Sequence, residues 1–317
     1  MAGEERAVRI LGLLEYLNSQ ERAVPVSELA LLAHREYGVS EVTLRSDLAA
    51  LCSLSGVRKL SRGTYEAVRD HTSPSLSTGS LFGTRLLHRA EQKIAIAGSV
   101  AGVLLSQSDL RVVLLDAGTT TYYLADRLSE SAGLDVIVWT PNVAAATRLA
   151  GSRGISVRVL GGEYQSEYFA VAGDETVRAL RSLQDGCAAQ ATGPYPGVHC
   201  VLDVNQISPD GGLFTDESRE RQQKSLMAEL AEDLTIVADS SKLFARRLGY
   251  QPHSVLRLSE LGEKRSVRVV TDSRATPEQR VVLKEMLQTA FPMAGFEVVE
   301  SEGACTFLAR GPFTGAI

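Results

Sequence analysis

The sequence of 317 residues contains few cysteines, few aromatic residues and no excess of basic charge. Its four cysteines have no C-x-x-C spacing, which argues against a zinc knuckle and against a disulfide framework. No apolar run approaches the about 18 residues that a membrane helix needs, and the first residues lack the layout of a signal peptide. We therefore expect a reduced, cytoplasmic protein without a bound metal or cofactor.

The bulk composition is that of an ordinary globular protein, since 44% of the residues are hydrophobic and 22% are charged. A length of 317 residues exceeds the usual domain of about 100–200 residues, which favours two domains. The net charge of -5 argues against a protein that coats nucleic acid along its whole surface. It leaves room for a small DNA-reading domain attached to a larger acidic one.

Residues 1–69 show helical periodicity in short pieces and predict a small N-terminal domain. Gly38 ends one predicted helix, and Ser40 is the expected N-cap of the next. The side chains expected on the buried face of this second helix are Val42, Leu44, Leu48 and Leu51. Two helices joined by a tight turn and followed by a hairpin over residues 57–65 are typical of a winged helix-turn-helix.

The composition changes after this domain. Residues 70–80 are rich in Ser, Thr, Pro and Gly and predict a linker. In residues 81–317, short apolar runs alternate with helical patterns, which predicts right-handed βαβ units on a mostly parallel, Rossmann-like sheet. The predicted strands are 112–116, 136–140, 157–160, 234–239 and 267–271. The segment after Ala290 has room for an extra strand.

Residues 114–121 predict a buried strand that ends at Gly118 and opens into a helix with three threonines in its first turn. Unpaired amide groups at a helix N-terminus attract negative charge, Gly118 lets a ligand come close, and the hydroxyl groups add donors. This layout favours a phosphate site at the carboxyl end of a parallel strand. The alternative is that Thr119 or Thr120 only caps the helix.

A series of short motifs follows in order along residues 7–271. The first part consists of Val39-Ser40, Thr43-Leu44-Arg45, Asp47-Leu48, Leu51 and Gly56. The later part includes Lys93, Asp116 with Gly118-Thr119-Thr120-Thr121, Thr140, Asn142, Gly161-Gly162, Glu220, Lys224, Asp239-Ser240-Ser241-Lys242 and Thr271-Asp272. Each match is weak alone, but their collinear order resembles the DeoR family of bacterial transcriptional regulators.

The resemblance implies a winged helix-turn-helix joined to a sugar-phosphate-sensing domain, whose fold is similar to ribose-5-phosphate isomerase and glucosamine-phosphate deaminase-type proteins. Family members are usually repressors that release DNA when a phosphorylated sugar binds, and they typically form dimers or tetramers. We accordingly expect three partners, which are double-stranded operator DNA, a phosphorylated sugar effector and further copies of the chain. The genes under control are expected to serve carbohydrate metabolism.

Several features depart from the family pattern, and two of them concern candidate binding residues. The recognition helix has Arg45-Ser46 where the family commonly has two adjacent arginines, so one phosphate or base contact is absent. Residues 194–204 look like an insertion next to the expected effector site. This insertion either reshapes ligand choice or is a surface excursion.

The candidate DNA-binding residues lie on the second helix and the hairpin of the N-terminal domain. They are Ser40, Thr43, Arg45, Ser46, Arg58, Lys59 and Arg62. Thr43 and Arg45 are placed to reach base edges, and the basic hairpin residues to reach phosphates. The alternative is a protein-interaction domain with solvated charges, because residues 1–70 hold nine Lys/Arg against ten Asp/Glu. Asp47 is expected to pair with a basic side chain of its own domain.

The candidate effector-binding residues lie at predicted strand ends and in the helix near Glu220. They are Asp116, Gly118, Thr119, Thr120, Thr121, Gly161, Gly162, Glu220, Lys224, Asp239 and Lys242. Lys242 is alternatively a surface lysine in a capping turn, and Glu220 and Lys224 alternatively form only a helical ion pair. The two glycines are alternatively a structural turn.

We expect a regulator with no catalytic residues. The rival hypothesis is a sugar-phosphate isomerase or deaminase-type enzyme with a helical accessory domain, for which Asp116, Asp239 and Glu220 are candidate bases. A scaffold that binds other proteins through the helical domain is a third alternative.

Overall fold

The computed structural model describes residues 9–311 except for 11–12, 14–15, 18–19, 21, 54–56, 61–62, 68–80, 132, 188–194, 245–251 and 262–263. The chain divides into two compact units, Met1–His88 and Arg89–Ile317. The predicted linker, residues 70–80, lies outside the described residues, and the first unit extends beyond it to His88. None of the helices within the described residues combines the length and the apolar composition of a membrane-spanning segment.

Within the described residues, the first unit contains helices and a small sheet packed around an apolar core. Its elements are β1 (Val24–Pro25), α1 (Val26–Tyr37), α2 (Glu41–Ser53), β2 (Val57–Lys59), β3 (Thr64–Ala67) and α3 (Leu81–Leu87). The three strands are antiparallel in the order β1-β3-β2. Side chains of α1, α2 and the hairpin pack with Leu13 and Leu17 in the core.

The connection between α1 and α2 follows the predicted local chemistry. Gly38 has a left-handed φ of 64°, and its N–H donates to the His34 carbonyl at 2.9 Å, which ends α1. The Ser40 hydroxyl accepts the Thr43 N–H at 3.4 Å and caps α2. Asp47 is buried and pairs with Arg9 Nε at 2.5 Å, which confirms the expected partner within the same domain.

The predicted buried face of α2 is wrong at one position. Leu44, Leu48 and Leu51 are fully buried, but Val42 is 79% exposed. Leu44 and Val42 are two residues apart, which corresponds to about 200° around a helix, so they cannot share a face. Val42 therefore lies on the outward side of α2.

The second unit is an α/β domain, as predicted. Its first elements are α4 (Ala90–Leu105), β4 (Val112–Leu115), α5 (Thr119–Ser129), β5 (Val136–Thr140), α6 (Val143–Leu149), β6 (Ile155–Val159), β7 (Glu163–Gln165), β8 (Ala170–Ala172) and α7 (Asp174–Cys187). The rest are β9 (Tyr195–Asp203), β10 (Gln206–Ile207), β11 (Gly212–Thr215), α8 (Arg221–Leu230), β12 (Ala231–Val237), β13 (His253–Arg257), β14 (Ser266–Asp272), α9 (Pro277–Ala290), β15 (Gly295–Ser301) and β16 (Ala304–Arg310).

The central sheet has eight strands in the order β15-β16-β14-β12-β9-β4-β5-β6. The strands from β14 to β6 are parallel to one another, as predicted. The C-terminal segment adds β15 and β16 as antiparallel strands, where the sequence predicted room for only one strand. Because the parallel strands all end at one edge, that edge gathers the segments that follow them.

The predicted insertion, residues 194–204, is corrected by the structure. Residues 195–203 form β9, which lies between β4 and β12 at the centre of the sheet. Cys200, Val201 and Leu202 are fully buried. A strand covered on both faces reads as a nearly continuous apolar run, and the Pro and Gly residues at its beginning made this run resemble a loop.

His199 is buried in β9 without charge. Its Nδ1 lies 2.8 Å from Gln107 Oε1 and its Nε2 lies 2.8 Å from Thr235 Oγ1. Burial lowers the pKa of His199 to about 3. The unfolded side chain takes up a proton below its ordinary pKa of about 6.5, whereas the native one stays neutral. The unfolded state therefore binds more protons as the pH falls, so acid destabilises the fold.

We expect the wild-type protein to lose about 2–3 kcal/mol of unfolding free energy through His199 when the pH is lowered from 7 to 4.5. His199→Gln removes this titration and should show a correspondingly smaller loss. Urea unfolding of both proteins at the two pH values measures the difference. Equal losses would contradict a neutral buried His199.

Candidate functional site

Four neighbouring parallel strands each end in, or are closely followed by, an aspartate. Asp116 follows β4, Asp203 ends β9, Asp239 follows β12, and Asp272 ends β14. All four side chains are buried. The structure thus brings the predicted residues Asp116 and Asp239 to one edge of the sheet and places Asp203 between them.

Asp116, Glu220 and Lys224 form a buried ionic cluster. Lys224 Nζ makes an ion pair with Asp116 Oδ2, lies 3.3 Å from Glu220 Oε2, and donates to the Asp203 carbonyl at 2.9 Å. Asp116 Oδ2 also accepts the Asp203 N–H at 3.0 Å, and Thr215 donates its hydroxyl to Glu220 at 3.0 Å. Glu220 and Lys224 therefore form the helical ion pair, but this pair is buried and tied to the strand ends.

The pKa values in this cluster follow from burial and from the pairing. Desolvation raises the pKa of Asp116 to about 7, against the opposing charge of Lys224. Burial by itself would lower the pKa of Lys224. The negative charges of Asp116 and Glu220 outweigh this effect, so the pKa of Lys224 is raised. The ammonium group therefore stays charged and holds the cluster together.

The carboxylate of Asp203 lies at the N-terminus of α5. Its Oδ2 accepts the Thr120 N–H at 3.3 Å, and its Oδ1 accepts from Lys242 Nζ at 2.8 Å. A Cβ placed on Gly118 would lie 2.2 Å from Asp203 Oδ2. The expectation of an unpaired amide group is therefore wrong for Thr120, because a carboxylate of the same chain binds it.

The three threonines of α5 are buried but make different contacts. The Thr121 hydroxyl donates to the Asp116 carbonyl at 2.8 Å and to the Gly118 carbonyl at 3.0 Å, so its proton is used by the backbone. Among the described residues, the Thr120 hydroxyl has no hydrogen-bond partner. Asn142 donates to the Gly118 carbonyl at 2.9 Å and fixes the turn before α5.

Asp239 precedes a tight 3-10 turn, Ser240–Lys242, and Lys242 is the last residue of this turn. Asp239 Oδ1 accepts the Ser241 N–H at 3.1 Å, which caps this turn. Burial acts to raise the pKa of Asp239, but the charges of Lys242, Lys93 and Arg89 and the Ser241 hydrogen bond hold it below its usual value. Lys242 therefore lies in a capping turn, which was the alternative prediction, and it also donates a hydrogen bond to Asp203.

Residues 88–261 match the family model described as the DeoR C terminal sensor domain. The chain belongs to the DeoR family. As a DeoR-family protein it is a transcriptional regulator and not an enzyme, which sets aside the isomerase or deaminase hypothesis.

Curated relatives of this DeoR-family chain include three repressors. It is 30% identical over 223 residues to the aga operon transcriptional repressor of Escherichia coli O157:H7, covering 70% of this chain and 74% of that protein. It is 26% identical to the transcriptional repressor AccR of Agrobacterium fabrum, covering 85% of this chain and 90% of that protein. It is 26% identical to the glycerol-3-phosphate regulon repressor of Haemophilus influenzae, covering 71% of this chain and 76% of that protein.

Solved structures add little to this assignment. Ribose 5-phosphate isomerase A of Neisseria gonorrhoeae is 13% identical and aligns with 71% of this chain and 77% of that chain, with a TM-score of 0.32. This similarity is too low to support an argument about the DeoR-family chain.

Two predicted effector residues of the DeoR-family sensor unit lie in a packed turn. Gly162 has a φ of 139°, and a Cβ there would lie 2.6 Å from Thr176 Oγ1 and 2.8 Å from the Ala172 carbonyl oxygen. Thr176 donates its hydroxyl to the Gly161 carbonyl at 2.5 Å. These contacts agree with the structural alternative for Gly161 and Gly162.

Asp203 was missed by the sequence analysis. The rule that selected Asp116 and Asp239, an aspartate at the end of a buried apolar run, also applies to Asp203 after Val198–Leu202. The interpretation of residues 194–204 as an insertion hid this signal. A strand assignment there would have found the residue that contacts Gly118, Thr120 and Lys242.

The candidate DNA-binding residues of the first unit lie on α2 and the hairpin. Ser40, Thr43 and Ser46 are exposed or half-buried at the beginning of α2. Arg45 is exposed and pairs with Glu41 at 2.7 Å. On the hairpin, Arg58 pairs with Glu66 at 2.5 Å, and Lys59 is exposed. Arg62 lies outside the described residues.

The contact between Gly118 and Asp203 predicts a coupled pair of substitutions. Gly118 has a φ of 160°, an extended conformation that alanine adopts as well, so the cost of Gly118→Ala should come from Asp203. We expect Gly118→Ala to lower the unfolding free energy by about 1–3 kcal/mol in the wild type. In Asp203→Ala the same change should cost little.

Urea unfolding of the wild type, the two single variants and the double variant measures this coupling. Gly98→Ala is a matched control, because a Cβ at Gly98 meets nothing within 4 Å. An equal cost of Gly118→Ala in both backgrounds would show that Asp203 does not restrict this position.

Proposed function

We propose that this chain is a DNA-binding repressor of carbohydrate metabolism genes, whose operator affinity is controlled by a phosphorylated sugar. The effector part of this proposal is carried by the Asp203 carboxylate, which the Thr120 N–H and the Lys242 ammonium bind at the N-terminus of α5. A position that binds a carboxylate through an amide and an ammonium group also suits a phosphate. The relatives named as repressors support this proposal.

The first unit supplies the DNA-binding half as a winged helix-turn-helix. We propose that α2 enters the major groove, with Thr43 and Arg45 at base edges and Ser40 and Ser46 near the backbone. The hairpin acts as the wing. Its basic residues contact phosphates and are Arg58, Lys59 and Arg62.

The exposed ion pairs of this unit are compatible with DNA binding. Arg45 and Glu41 are each more than half exposed, and exposed pairs contribute only about 0–1 kcal/mol. A DNA phosphate or base can therefore replace Glu41 at little cost. The weak net charge of residues 1–70 favours a homodimer or tetramer, in which two copies share one operator in the cytoplasm.

Arg45→Ala should weaken binding to the DNA upstream of the gene by about tenfold or more and relax base preference, because a bidentate arginine contact is worth about 1–3 kcal/mol. Footprinting and mobility shifts at several salt concentrations measure this. Arg178→Ala is the matched control, since Arg178 is also exposed and helical and pairs with Glu175 at 2.8 Å in the second unit. An unchanged footprint would remove Arg45 from the interface.

The second unit supplies the effector half. We propose that the phosphate lies at the N-terminus of α5, beside Gly118, and contacts Thr119, Thr120 and Lys242. Asp239 and Asp116 Oδ1, which has no partner among the described residues, accept hydrogen bonds from sugar hydroxyl groups. The remaining candidates support the site without touching the ligand, and they are Thr121, Gly161, Gly162, Glu220 and Lys224.

The effector changes operator affinity only if it binds the DNA-bound and DNA-free states differently. Thr120→Val removes the unpartnered hydroxyl without changing the size of the side chain. We expect the sugar phosphate concentration that releases operator DNA to rise about tenfold or more, since a hydrogen bond to a charged group contributes about 1.5–3 kcal/mol.

Mobility shifts with ribose 5-phosphate, fructose 6-phosphate, glucose 6-phosphate and glycerol 3-phosphate measure this release. Thr147→Val is the matched control, because the Thr147 hydroxyl donates only to the Val143 carbonyl in its own helix at 2.9 Å. Release of the Thr120→Val protein at wild-type concentrations would argue against the phosphate site.

A further inference from the structure

We propose that Asp203 is a built-in competitor of the effector, whose carboxylate holds the phosphate position until a phosphate displaces it. This inference rests on the proposed function, because it places the effector phosphate at the N-terminus of α5. It adds a residue that sets the affinity and the selectivity of the site.

The Asp203 carboxylate is bound as an anionic ligand would be bound. Its Oδ2 contacts the Thr120 N–H at the positive end of α5, and its Oδ1 contacts the Lys242 ammonium. Gly118 has no side chain, and a Cβ there would overlap Asp203 Oδ2. Asp203 is far from both α5 and Lys242 in the sequence, so the fold brings a separate carboxylate into this position.

The Thr120 hydroxyl is a second, independent sign of a ligand. It is buried in the same helical turn and has no hydrogen-bond partner among the described residues, which is uncommon for a buried polar group. Both oxygens of Asp203 are already engaged. A phosphate monoester has a third non-bridging oxygen, which offers the Thr120 hydroxyl an acceptor that the carboxylate lacks.

The displacement requires only a side-chain rotation. The Asp203 N–H is bound by Asp116 and its carbonyl by Lys224, so the backbone at the end of β9 stays in place. With Asp203 in the site, the Thr120 N–H and the Lys242 ammonium are both taken, so an incoming phosphate binds there only after the carboxylate has left. The apparent affinity is therefore reduced by the fraction of molecules in which Asp203 has left the site.

Calorimetric titration of the full chain with inorganic phosphate tests the competition. We expect Asp203→Ala to bind phosphate about tenfold more tightly than the wild type, or better. Replacement of Lys242 by alanine in the Asp203→Ala protein should remove this gain. Asp210→Ala removes the same charge from an exposed pair with Arg257, outside the site, and should bind phosphate like the wild type.

The outcomes separate this inference from the proposed function. Equal phosphate affinity in the wild type and Asp203→Ala would overturn the competitor and leave the phosphate site standing. No phosphate binding by either protein would overturn both. An equal gain in Asp210→Ala, or a gain that survives without Lys242, would also overturn the inference.

Asp203→Asn provides a variant of unchanged size if Asp203→Ala does not fold, which thermal unfolding would reveal. It removes the charge that repels phosphate and weakens the hold of Lys242 on the side chain. We expect it to bind phosphate more tightly than the wild type. Binding no tighter than the wild type would count against the competitor.

Discussion

The arrangement of the strand ends in the second unit depends on one buried ammonium group, that of Lys224. It pairs with Asp116, lies close to Glu220 and donates to the carbonyl of Asp203. Because Asp116 also accepts the Asp203 N–H, this pair fixes both backbone polar groups at the end of β9. Removing two charges from water costs several kcal/mol per ion, so such a cluster persists only when every partner is well placed.

The edge of the sheet shows how one residue type serves different purposes at equivalent positions. Asp116 neutralises Lys224, whereas Asp203 binds the N-terminus of α5 and Lys242. Asp239 caps the turn that follows β12, and Asp272 accepts the Ser240 N–H of the same turn at 2.6 Å. The positive end of a helix and a nearby lysine make Asp203 the aspartate whose partners suit an exchangeable anion.

The two units use ion pairs in different ways. The pairs of Arg45 and Arg58 in the first unit have solvent-exposed arginines, so these pairs contribute little to stability. The pair of Lys224 in the second unit is buried, and its loss would leave a charge without a partner. Exposed pairs can change partners at little cost in free energy, whereas the buried pair is fixed by the groups around it.

The sequence by itself determined the α/β class, the positions along the chain of the parallel strands other than β9, and the strand-end positions of Asp116 and Asp239. These features depend on hydrophobic periodicity and on the residues that end helices and strands, which act over a few neighbours. It also predicted Gly38 and Ser40 at the connection of α1 and α2. The prediction was wrong for Val42, which was expected on the buried face of α2 but lies on its exposed face.

Only the tertiary structure decided that residues 195–203 form the central strand β9 and that Asp203 fills the N-terminus of α5. It also decided that Gly161 and Gly162 pack against Thr176 and Ala172. Strand order in a parallel sheet is set by crossover connections between distant segments, and no local pattern records which strand becomes the neighbour of another. The partners of Asp203 follow from that order, because they come from three segments far apart in the chain.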